Sequence, residues 1–134
     1  MKNLVLFIFF LSFFSCKNHT DNIYGTYKSK ELTFFQKVKY NNTSDIRGLQ
    51  LNLKPDSTFN YNACGIIFDG FWKIKHDSLY LSPEKSKWKK DSLNKIKEPI
   101  KNVKDFFIYK IEDNNLFSFI RKENHIDIIK LEKE

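Results

Sequence analysis

Between Gly48 and Leu81 apolar and polar side chains fall into short runs of period two, with turn-forming residues between them. A period of two lines one face of an extended strand, whereas a helix needs a period near 3.6, so this stretch folds as strands. In LQLNLK, residues 49–54, Leu49, Leu51 and Leu53 share one face and Gln50, Asn52 and Lys54 the other. Pro55-Asp56-Ser57 then forms a turn, because proline presets φ and aspartate bonds back to the backbone. TFNYNAC follows, with Phe59 and Tyr61 set against Thr58, Asn60 and Asn62.

The same grammar continues downstream. FWKIK places Trp72 and Ile74 together, His76-Asp77 turns the chain, and SLYLS places Leu79 and Leu81 together. DFFIYKIED, residues 105–113, meets LFSFIRKE across Asn114-Asn115, and HIDIIKLEK closes the series after a turn at Glu123-Asn124. Upstream, GTYKSK and LTFFQKVKY read as one long strand or two, broken at Lys30-Glu31. Residues 82–103 hold Pro83, Pro99 and many lysines without periodicity, and read as a long loop with a short helical turn around Lys87–Asn94. Consecutive hairpins of this number curl, and closure removes the two exposed edges. The expected fold is therefore all-β, an antiparallel up-and-down β-barrel of about eight strands, in a single domain over residues 23–134.

The amino terminus carries an address. Met1-Lys2-Asn3 is a basic start, and residues 4–14 form an apolar run interrupted only by Ser12. That length suits the core of a signal peptide and falls short of the roughly 20 residues a membrane-spanning helix needs. Ser15 then Cys16 resemble the lipobox of bacterial lipoproteins, although Phe13 and Phe14 replace its usual residues. The resemblance implies cleavage before Cys16, acylation of its thiol (palmitate among the chains) and a lipoprotein signal peptide over residues 1–15. Each buried methylene contributes about 0.8 kcal/mol, so two or three acyl chains hold a protein on a membrane. An ordinary signal peptide cut near Ser15 is the alternative. Residues 16–22, the lipidated cysteine and KNHTDN, form a polar tether.

Residues 48–81 resemble the small lipocalin-like domains of Bacteroidota lipoproteins in three places: DSTF after a turn, the Gly70-Phe71-Trp72 strand, and Asp77-Ser78-Leu79-Tyr80-Leu81. Gly25-Thr26-Tyr27 matches the opening Gly-x-Trp strand with tyrosine for tryptophan. In larger lipocalins a late arginine packs over that first-strand ring, and the resemblance implies Arg121 over Tyr27. It also implies a cell-envelope location, at the outer membrane.

Candidate chemistry is sparse. Cys64 is the only thiol left once Cys16 is acylated, and a nucleophilic cysteine needs a base or cation beside it. A hairpin turning within residues 64–69 sets Cys64 near Gly70 and leaves His76 far away. His19, His76 and His125 have no metal-site spacing, so neither a metal, a cofactor nor a catalytic residue is assigned.

Two binding features remain. Phe59, Tyr61, Trp72, Ile74, Phe107, Tyr109 and Phe119 are expected to point inward, lining a cup for a small apolar ligand or plugging it. Residues 84–104 hold eight lysines against three acids, and Lys85, Lys87, Trp88, Lys89 and Lys90 form a candidate contact for anionic surfaces. Removing residues 1–15 leaves 22 basic and 16 acidic side chains. In an exported protein that excess suits lipid head groups or polysaccharide rather than nucleic acid. The expected state is a monomer bound to the membrane through Cys16.

The address is testable by mass. Protein recovered from its host's membranes is expected to begin at Cys16 and carry acyl mass there, and Cys16→Ser should leave the membrane fraction. A chain cut elsewhere with an unmodified Cys16 would contradict the lipobox reading.

Overall fold

Leu49, Leu51 and Leu53 are all buried, and so are Phe59 and Tyr61 on the strand that follows, as period-two alternation requires. The computed structural model describes residues 22–40, 47–95, 107–121, 123 and 126–134. Cys16, His19 and the tether to Asp21 lie outside them, as do His125 and the stretch 96–106.

Eight strands follow one another around a closed barrel, each pairing antiparallel with the next. They are β1 (Gly25–Ser29), β2 (Gln50–Leu53), β3 (Thr58–Ala63), β4 (Ile66–Lys75), β5 (Ser78–Trp88), β6 (Phe107–Glu112), β7 (Asn115–Arg121) and β8 (Ile126–Lys133). Closure comes from β1 against β8, where Tyr27, Lys28 and Ser29 face Lys133, Glu132 and Leu131. The expected all-β up-and-down barrel is what the chain forms.

The turns explain the short connections. Asp113 and Asn114 both have positive φ, the geometry of a two-residue hairpin matching strand twist, so β7 starts one residue earlier than the sequence suggested. Cys64 and Gly65 do the same between β3 and β4, a turn much tighter than the expected 64–69. At the β2–β3 turn, Asp56 accepts bonds from the Thr58 amide at 3.0 Å and its hydroxyl at 2.6 Å. Trp72 Nε1 donates to the Lys54 carbonyl at 3.0 Å and pins that end of the barrel.

Three expectations are corrected. LTFFQKVKY is not a strand: residues Phe34–Tyr40 form helix α1. Thr33 and Gln36 make a capping box, the Thr33 amide donating to Gln36 Oε1 at 3.0 Å and the Gln36 amide to Thr33 Oγ1 at 3.3 Å. Nor is Ser82 the start of a loop. β5 runs on to Trp88 because β4 offers it an edge down to Ile66, and only then does helix α2 (Asp91–Asn94) form, within the window expected for a helical turn. Asn94 clamps that junction, bonding both the amide and carbonyl of Trp88 at 2.7 and 2.9 Å. Finally, Arg121 does not cover Tyr27. The two sit at opposite ends of β8, opposite Ile126 and Lys133, and the Tyr27 hydroxyl donates to the Ile23 carbonyl at 2.5 Å.

Long β4 and β5 stay in register only through a bulge, which lies between Asp69/Lys85 and Gly70/Pro83. There the strands approach so closely that a methyl group on Gly70 would collide with the Ser82 carbonyl and lie 2.8 Å from Pro83 Cα. Both neighbours are backbone and cannot swing aside. Gly70→Ala is expected to lower unfolding stability by about 3 kcal/mol in urea titration. An unchanged midpoint would mean that the Ser82–Pro83 backbone gives way to the added methyl group.

Candidate functional site: a parted wall and its cavity

The barrel wall is not paired along its whole height. β6 and β7 form only three pairs, Glu112 with Asn115, Ile111 with Leu116 and Lys110 with Phe117. Beyond them, Tyr109 and Ile108 on β6 have no ladder partner on β7. Phe107–Lys110 still pair with β5, and Ser118–Arg121 still pair with β8, so the strands diverge as the two arms of a V.

A cavity of about 510 Å³ occupies the space behind this divergence. Phe107, Ile108 and Tyr109 line one side, and Ser118, Phe119 and Ile120 the other. Leu49, Tyr61, Ala63, Cys64 and Ile129 complete it. That size is ordinary for a small-molecule site, and the lining is mainly apolar. Among the lining residues none is charged.

An aromatic cluster forms one flank of the cavity. Tyr61, Phe68 and Phe107 meet with ring centroids 5.3–6.4 Å apart, and Tyr61 meets Tyr109 edge-on at 6.4 Å. The Tyr109 hydroxyl donates to that of Tyr61 at 2.8 Å. Only 1% of Tyr109 and 3% of Tyr61 is exposed. Burial pushes the Tyr61 phenol above its ordinary value and Tyr109 well above it, since an apolar surrounding disfavours phenolate. Both therefore stay protonated at neutral pH.

The residues expected to line a cup separate into three groups. Tyr61, Phe107 and Tyr109 do line the cavity. Phe59, Trp72 and Ile74 point inward but pack into the solid core toward the other end. Phe119 follows the alternation of Phe117, whose outer-face cluster with Leu32 and Ile128 is separate from the core. It is 45% exposed and borders the opening instead of lying inside.

Asp127 was not anticipated. It is 3% exposed and shares the inward alternation of Ile129 and Leu131, a placement that the pattern of IDIIKL already contained.

The basic segment is also divided. Lys85 and Lys87 pair with Asp69 and Ile67 on the outer face, while Trp88 sits opposite Ile66 on the other face. Lys89 and Lys90 are exposed beyond the strand, the Lys89 amide held by the Gly65 carbonyl at 2.8 Å. Cys64 and His76 occupy turns at opposite ends of β4, roughly 30 Å of strand apart. Among the described residues no three His, Cys, Asp or Glu side chains gather as a metal site. On the outside, α1 exposes 75% of Phe34, 82% of Phe35 and 64% of Val38.

Comparison with known protein families, with curated proteins and with solved structures finds no match. Function therefore rests on this geometry.

Burial of the phenols has a consequence for pH. Tyr27, also buried, is pushed up to about 12 by desolvation. Between the unfolded value near 10 and the folded one, the native state binds more protons than the unfolded state, so stability falls as pH rises. Denaturant midpoints are expected to hold up to about pH 10 and decline above it. Tyr27→Phe should flatten part of that decline; an unaltered slope would contradict the assignment.

Proposed function

We propose that this protein is a lipid-anchored lipoprotein of the bacterial envelope, at the outer membrane, whose lipocalin-like barrel binds a small apolar or amphipathic molecule without transforming it. The single observation that carries the binding role is the cavity behind the parted β6 and β7, apolar, aromatic and edged by exposed Ile108 and Phe119. Eight strands enclose just enough interior for side chains or one small ligand, and here the side chains fill one end and leave the other partly open. The lipocalin-like identity is supported by the up-and-down order and the tight hairpins. The envelope address is supported by the residues around Cys16. On this account the protein acts as a monomer, without cofactor, metal or nucleic acid.

A second role is favoured by α1. Phe34, Phe35 and Val38 lie outside on one short helix, and aromatic side chains of this kind enter the boundary of a lipid bilayer. A tether of six residues reaches about 20 Å, enough to keep an acylated Cys16 and the barrel on one membrane surface. The outer face then engages the membrane while the cavity carries the ligand.

Filling the cavity separates the two roles. The chain as exported by a bacterial host, with Cys16→Ser, is expected to bind the fluorescent apolar probe 1-aminoanthracene. Ser118→Phe, which puts a ring into the cavity, should weaken that binding at least about tenfold with little change in thermal midpoint. Equal binding by both chains, or none by either, would overturn the cavity role.

A further inference from the structure

Tyr61 and Tyr109 bring two hydroxyl groups into a cavity whose other lining side chains, apart from Ser118 and Cys64, are rings and aliphatic chains. They come from β3 and β6, 48 residues apart in sequence, and meet at 2.8 Å. Two hydroxyls carry two protons, and one hydrogen bond uses one of them. Neither tyrosine has another hydrogen-bond partner among the described residues. One O–H donor therefore remains unmatched in side chains that are almost wholly buried and both line the cavity.

An unmatched buried donor costs about 1–3 kcal/mol, whereas replacing both members of such a pair by apolar groups of the same shape is nearly neutral. Phenylalanine at both positions would fill the same space without that cost. The pair is thus poorly explained as packing and well explained as a donor waiting for an acceptor.

The charge of that acceptor is constrained too. A carboxylate or phosphate entering this cavity would meet no lysine or arginine among the lining residues, and the buried Asp127 lies two residues from lining Ile129. An unpaired ion in such a site is costly to desolvate. A neutral carbonyl oxygen accepts the bond and leaves its apolar remainder to the rings of Phe107 and Tyr61.

We propose that the ligand class is an uncharged apolar molecule carrying a carbonyl acceptor (a ketone, ester or amide), which takes the free proton of the Tyr61–Tyr109 pair. This rests on the cavity being the binding site.

Three probes of similar size test it against the Cys16→Ser chain: benzophenone, diphenylmethane and diphenylacetate. Benzophenone and diphenylmethane differ by a carbonyl for a methylene, and diphenylacetate adds a negative charge. The Tyr61→Phe/Tyr109→Phe variant is expected to weaken benzophenone about fivefold to tenfold while leaving diphenylmethane within about twofold. Diphenylacetate should bind more weakly than benzophenone to the parent chain. The carbonyl stretch of bound benzophenone should move to lower wavenumber, a reading that needs no variant and so survives any failure of the double variant to fold.

Equal benzophenone binding by parent and variant, an unshifted carbonyl, or preference for diphenylacetate would overturn the carbonyl assignment while leaving the cavity role standing. Absence of binding by all three would overturn both together.

Discussion

Three residue pairs between the first strand and the last turn a meander into a wall. Tyr27, Lys28 and Ser29 on β1 face Lys133, Glu132 and Leu131 on β8, and without them the sheet would present two open edges. Around that seam the chain is tied further: the Lys30 amide reaches the Lys130 carbonyl at 3.0 Å and the Glu134 amide the Thr26 carbonyl at 2.9 Å. Closure gives the inward residues a common interior, so Leu51, Leu79, Leu81, Leu116 and Leu131, from four different strands, all become fully buried. The cavity exists only within this enclosure.

Within it the two ends differ. At the end carrying the 54–57, 76–77 and 113–114 turns, tight hairpins bring strands together and Trp72 bonds across to Lys54. At the other end β6 and β7 part after three pairs, and long β4 and β5 extend past the neighbouring ladder between β5 and β6. The site is a product of that asymmetry. A filled end holds the frame, and the parted end holds an apolar space with a pair of phenols set in its wall.

Much of the frame could be read from alternation. Leu49/Leu51/Leu53, Phe59/Tyr61 and Leu79/Leu81 announced their buried face because one side of each strand meets the core and the other meets water. Helix α1 was not legible that way. Phe34, Phe35, Val38 and Tyr40 suit strands by propensity, and a Thr33–Gln36 capping box is a quieter signal than four such residues. The outer half of β5 was hidden for a different reason: Lys85, Ser86 and Lys87 have no apolar pattern, and their extended state comes from pairing with Asp69, Phe68 and Ile67. The cavity lay deeper still. Tyr61 and Tyr109 were recognisable as inward residues, but their meeting, and the parting of β6 from β7 beside them, exists only once the barrel closes.

The parted wall is most directly tested by amide hydrogen exchange at two residues of β6. The Ile111 amide donates to the Asp77 carbonyl across β5, so by alternation the Lys110 and Ile108 amides point toward β7. Lys110 has a ladder partner in Phe117, and Ile108 faces the opening. Exchange measured by NMR is expected to show strong protection at Lys110 and rapid loss at Ile108. Comparable protection at both would mean a wall sealed along its height, with no entrance for a ligand.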